Sequence, residues 1–102
     1  TGWYTLSLHD ALPIYPRVTI RWETAAASDD AVTIRDARGR LLLRRAWPSR
    51  GAGERELVWD GRDRQGRPCA SGVYLFTIDC RPAQPAAAAA PVRLHGRLNL
   101  VR

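Results

Sequence analysis

LVWDGRDRQGRPCASGVYLFTIDC, running from Leu57 to Cys80, decides how the rest of the chain is read. It holds two turn signals, Asp60-Gly61 and Gln65-Gly66, and a third break at Ala70-Ser71-Gly72. Glycine-terminated turns supply the positive φ that tight β-connections need, so they punctuate strands rather than helices. Trp59 closes one apolar strand, and Tyr74, Phe76 and Ile78 share one face of the next. Two aromatic-bearing strands joined by tight turns form the centre of a small β-sandwich.

Working outward, the same period-2 pattern recurs on both sides. Val18, Ile20 and Trp22 alternate with Arg17, Thr19 and Arg21, as in a half-buried strand. Glu23 to Asp30 is expected to be a small polar connection, followed by a strand over Ala31 to Asp36 with Val32 and Ile34 inward. Asp36-Ala37-Arg38-Gly39 reads as a type I turn into a strand over Arg40 to Trp47. There the run Leu41-Leu42-Leu43 hides which face is buried. Pro48 to Gly53 is a loop by composition, and Glu54 to Trp59 is the next strand, with Leu57 and Trp59 on one face. Prolines at 82, 85 and 91 argue against a helix in the alanine-rich stretch between them, which reads as an extended loop. In the last strand, Val92 to Val101, Leu94, Leu98 and Leu100 share a face with Gly96. Six to seven mostly antiparallel strands make an all-β sandwich.

At 102 residues the chain has room for one domain. No apolar run approaches the roughly 20 residues needed to span a bilayer as a helix. The formal charge is +6, and every basic residue is Arg. Arg and Ala richness without Lys is the signature of GC-rich coding, and the arginines are spread along the strands. No nucleic-acid partner is therefore expected. Residues 1–14 contain no Arg, and Thr5 to Ile14 resembles the translation of a short-read sequencing adapter. They are read as a non-native or disordered leader of a metagenomic fragment, outside the core, with residues 15–102 as the domain. With no Met in the chain, that domain is expected to be the carboxy-terminal piece of a longer protein.

The strings Asp36-Ala37-Arg38-Gly39-Arg40, Trp59-Asp60-Gly61-Arg62-Asp63, Gly66-Arg67-Pro68 and Ala70-Ser71-Gly72-Val73-Tyr74 resemble the Ig-like domain of FlgD-type hook-cap proteins. They are also similar to the carboxy-terminal sorting domains of type IX secretion. The resemblance covers residues 16–102. It implies an immunoglobulin-like β-sandwich that ends an exported bacterial protein, at the cell surface or outside it. Its partners would be the upstream domains of the same polypeptide and secretion machinery or cell-envelope components. The structural motif carried over is Trp59, Asp60, Gly61, Asp63, Gly66, Gly72 and Tyr74. Arg97 to Arg102 matches the basic residue and short apolar strand that end sorting domains. Cys69 stands where such domains usually carry Val, and the alanine-rich loop replaces a short turn.

No chemistry is legible. Outside the leader there are one His (His95) and two Cys, too few for a cluster of four soft metal ligands. Asp60 and Asp63 lack the spacing of a calcium loop. Ser49 and Ser71 have no His or acid arranged around them. His95 falls on the outward face of its strand. Neither cofactor nor metal nor enzymatic activity is expected. Cys69 and Cys80 are expected to stay unbridged, because a strand rising ~3.3 Å per residue holds them roughly 20 Å apart, far beyond the about 7 Å that a disulfide allows.

Two functional classes remain. One is a structural or interaction module serving as spacer, docking surface or sorting tag. The other is a ligand-binding module for carbohydrate or polyanion, using Trp47 and Arg45 with the arginine-bearing face. Trp22 and Trp59 fall in the inward register, so Trp47, beside Pro48, is the expected exposed aromatic.

Overall fold

A computed structural model describes residues 7–10, 17–24, 26–82 and 91–101, with backbone alone for residues 7–10 and 49–50. The described residues contain seven strands: β1 (Ser7–Asp10), β2 (Val18–Thr24), β3 (Ser28–Arg35), β4 (Leu41–Arg50), β5 (Gly53–Trp59), β6 (Gly72–Pro82) and β7 (Val92–Leu100). They form two antiparallel sheets, β1-β2-β5 and β4-β3-β6-β7. Four residues of the leader pair with β2, Ser7 opposite Arg21 and Asp10 opposite Val18. This segment therefore has a place in the sheet that its composition did not suggest. The other leader residues and the alanine-rich loop at 83–90 lie outside the described residues.

Alternation accounts for most of the core. Val18, Ile20 and Trp22 of β2, Leu57 and Trp59 of β5, and Tyr74, Phe76, Ile78 and Cys80 of β6 all face the space between the sheets. Opposite Phe76 in the register stands Gly96 of β7. A Cβ at Gly96 would lie 2.3 Å from Phe76 Cζ, so the ring occupies the space a side chain would need. Glycine is required there for close approach, not for an unusual φ.

Three boundaries differ from the sequence reading. Thr24 still belongs to β2, and Ser28 and Asp30 already belong to β3 with their side chains buried, so the polar connection shrinks to three residues. β4 continues to Arg50, which pairs with Ser28, leaving only Gly51 and Ala52 before β5. Within β4, Ile34 faces Leu43 while Arg35 faces Leu41, so Leu42 is the extra residue of a β-bulge. The bulge lets Leu42 be fully buried while Leu43 also packs on the core. A triple-leucine run with no usable alternation is reconciled with one buried face in this way.

Candidate functional site

The central motif builds a compact loop between β5 and β6. Asp60 Oδ1 accepts the Arg62 N–H at 3.1 Å, the Gly61 carbonyl accepts the Cys69 N–H at 2.8 Å, and Arg62 bridges to Pro68. Trp59 donates its indole N–H to the Arg62 carbonyl at 3.0 Å. Its ring meets that of Tyr74 edge to face, with centroids 5.2 Å apart. The Tyr74 hydroxyl donates to the Ala70 carbonyl at 2.5 Å, the tie made by the tyrosine corner of Ig-like sandwiches. Trp59, Asp60, Gly61 and Tyr74 thus anchor one excursion of the chain onto the core, and Gly72 opens β6.

Asp63 and Gly66 belong to a unit that occurs twice. Arg35-Asp36-Ala37-Arg38-Gly39-Arg40 and Arg62-Asp63-Arg64-Gln65-Gly66-Arg67 share the pattern RDxxGR. Each Asp Oδ1 accepts two backbone N–H groups: Arg38 and Arg40 in the first loop, Gln65 and Arg67 in the second. Each glycine, at φ 88° and 83°, donates its N–H to the Asp carbonyl. The leading arginine donates to the glycine carbonyl at 3.0 Å in both. The trailing arginine reaches Asp Oδ2, at 3.4 Å for Arg40 and 3.1 Å for Arg67. Backbone N–H bonds, from Arg40 and Arg67 respectively, hold the Asp36 and Asp63 carboxyls below the usual aspartate range; partial burial opposes this and the flanking arginines assist it. Every acceptor of these aspartates is engaged in shaping a turn. Turns are expected from the sequence at both places, Asp36–Gly39 and Gln65-Gly66, and the repeated hexapeptide is the signal that they are the same unit.

A second polar cluster lies in the core, where the sequence reading placed none. Arg55 of β5 pairs with Asp30 of β3 across the sheets, and their side chains are 3% and 0% exposed. Asp30 also accepts the Trp22 indole N–H at 3.1 Å and the Ser28 hydroxyl at 2.6 Å. Arg55 donates to the Thr24 hydroxyl at 2.7 Å and to the carbonyls of Gly51 and Gly53. All five residues sit in the inward register of their strands. The missed signal was phase: Thr24 continues Val18-Ile20-Trp22, Ser28 and Asp30 lead into Val32-Ile34, and Arg55 precedes Leu57-Trp59 by whole periods of 2.

Trp47, expected to be exposed, is half-buried and packs against the core, its ring edge-on to Trp22 with centroids 5.5 Å apart. The physical reason is register: Trp47 faces Asp30 on the inward row, beside the buried cluster. Arg45 is exposed on β4, His95 is exposed on β7 opposite Thr77, and Ser71 is exposed at the turn before β6. The Ser49 side chain lies outside the described residues. Cys69 and Cys80 are both buried and not joined to each other. Among the described residues, no group of three or more His, Cys, Asp or Glu is placed to hold a metal ion.

Two surface depressions among the described residues bear on function. One, of about 850 Å³, lies by Asp29, Trp47, Asp79, Arg81 and Arg93 and carries charges of both signs, with Arg93 paired to Asp79. The other, of about 630 Å³, runs between β4 and the loop after β5 and carries four arginines. Neither brings together a nucleophile, a base and an acid.

The decisive observation is that a family model described as the FlgD Ig-like domain matches residues 16–82. The chain belongs to the FlgD Ig-like domain family. FlgD from Xanthomonas campestris, whose structure was described for the hook capping essential to flagellar assembly, is 23% identical with a TM-score of 0.65. That match covers 96% of this chain and 68% of that one. FlgD from P. aeruginosa is 19% identical, with a TM-score of 0.65 over 96% of this chain and 74% of that one. Dimeric latent PorU from Porphyromonas gingivalis is 16% identical, with a TM-score of 0.67; 97% of this chain matches 9% of that one. At these identities the likenesses establish the fold alone, the immunoglobulin-like sandwich that the resemblance implied. No curated protein matches the chain.

Proposed function

We propose that this FlgD Ig-like domain is a non-catalytic structural or interaction module of a larger exported bacterial protein, serving as spacer, docking surface or secretion-sorting domain. One observation carries the reading: the polar side chains of the motif, Asp36, Asp60 and Asp63 above all, are consumed in holding turns. A loop whose carboxylates already accept backbone N–H groups presents shape rather than general acid or base chemistry. The family match and the fold likeness to both FlgD and PorU support an exported or envelope setting. Among the described residues no helix is long and apolar enough to cross a membrane.

The test is to recover the reading frame upstream of residue 15 in the source genome. An export signal followed by at least one further folded domain is the expected result. A start codon just before residue 15, with no export signal, would overturn the proposal.

A further inference from the structure

The geometry points to the groove between β4 and the loop after β5 as a docking site for an acidic, extended peptide segment of a partner, added as a strand along the open edge of β4. This rests on the reading of the domain as an interaction module and names the chemistry of its contact. Among the described residues β4 ends its sheet and β5 ends the other, so each has one hydrogen-bonded strand neighbour there and one side with none. An edge strand of 10 residues offers a row of backbone donors and acceptors to an incoming chain.

Side chains around that edge give it a sign. The groove, about 630 Å³, is lined by Leu41, Leu43, Arg44, Arg45, Arg62 and Arg64. By register with Thr33 and Val32, Arg44 and Arg45 flank the β4 backbone from opposite faces. Arg62 and Arg64 approach from the loop. Among the described residues none of the four is ion-paired with a carboxylate. The two acids in the groove are already engaged: Asp60 by the Arg62 N–H, and Asp63 by Arg67 and two backbone N–H groups. Val58, 43% exposed, and the half-buried Leu41 and Leu43 supply apolar contact for alternate side chains of a strand.

The same arginines would also discourage edge-to-edge pairing between copies of this chain, since like charges would be brought together. An acidic strand converts that repulsion into attraction, and guanidinium–carboxylate pairs are among the stronger hydrogen bonds. The outer face of β5 carries Glu54 and Glu56, so an acidic segment favours the β4 side of the seam.

The experiment uses the full chain and two labelled peptides matched to the 10 residues of β4, one alternating Val and Glu, the other Val and Lys. Fluorescence anisotropy should show saturable binding of the Glu peptide and at least about tenfold weaker binding of the Lys peptide. Amide shifts in NMR spectra should concentrate in β4 and residues 60–66. Arg44→Glu with Arg45→Glu should weaken binding by at least about tenfold, while Arg97→Glu, exposed on the opposite edge strand β7 and outside both depressions, should leave it unchanged. Arg62→Ser with Arg64→Ser provides the same reading by weaker binding if the charge-reversed pair does not fold. No binding, equal binding of both peptides, or shifts centred on β7 would overturn the proposal. Full competition by an oligonucleotide of equal charge would also overturn it, in favour of a general polyanion surface. Peptide binding is independent of the upstream reading frame, so failure here and failure of the module reading are separately visible.

Discussion

Arg55 Nε lies 2.5 Å from Asp30 Oδ2, joining β5 of one sheet to β3 of the other, with both side chains buried. Hydrophobic burial is non-directional, whereas this pair fixes how two particular strands sit across the sandwich. The surrounding Trp22, Ser28 and Thr24 bonds compensate part of the cost of burying two charges.

Removing one partner should be costly. Arg55→Met leaves a buried carboxylate and should lower stability by ~3–5 kcal/mol, as broken buried pairs do. Adding Asp30→Asn removes the stranded charge while keeping an acceptor for the Trp22 indole, and should recover part of the loss. Urea melts of parent, single and double variants check this; a single variant within about 1 kcal/mol of the parent would refute a structural role for the pair.

Trp59→Ala should cost ~3–5 kcal/mol, the usual range for truncating a buried Trp, because the ring is 1% exposed and packs on Tyr74. Gly96→Ala should cost ~1–3 kcal/mol, since the new methyl collides with the Phe76 ring and the strand or ring must shift. His95→Ala, on the exposed side of β7, should stay within about 0.5 kcal/mol. Thermal or denaturant melts of the three rank them directly.

Acid should weaken the domain through the two RDxxGR loops. Asp36 and Asp63 have folded-state pKa values below the ordinary 3.8. The stabilisation they give is therefore fully present above that value and is lost as pH falls through their depressed folded values. Asp36→Asn and Asp63→Asn together should flatten the stability profile below pH 3.8 and lower the plateau above it. An unchanged acid limb in the double variant would show that other carboxylates dominate.

Cys69 and Cys80 should both titrate with a thiol reagent once the unreduced chain is denatured, and neither should react fast in the folded state, where both are buried. Absence of thiols under denaturing, non-reducing conditions would contradict the placement of the strand between them.

Where side-chain polarity and strand phase agree, the fold was legible from the residues. Val18-Ile20-Trp22 and Tyr74-Phe76-Ile78 announce their inward faces, and the Asp60-Gly61 turn marks where β5 ends. Reading failed where polar residues keep the inward phase. Thr24, Ser28, Asp30 and Arg55 look like surface on a binary pattern, yet they satisfy one another inside. Trp47 was misplaced for a related reason: a strand end beside proline suggests exposure, but register sets it against Trp22. The Leu42 bulge is set by pairing with β3, which no local pattern of three leucines encodes. The charged groove joins residues 41–45 to residues 58–66, and only the folded arrangement puts them side by side.

The two sheets of this FlgD-type sandwich close over Trp59, Tyr74, Phe76 and the Asp30–Arg55 pair. Nuclear Overhauser spectroscopy of the chain reads that closure ring by ring. Cross-peaks are expected between the Trp59 and Tyr74 rings and between the Trp22 and Trp47 rings, with the Gly96 Hα shifted upfield by the adjacent Phe76 ring. A Trp59 indole without contact to Tyr74, together with a Gly96 Hα at its ordinary shift, would contradict it.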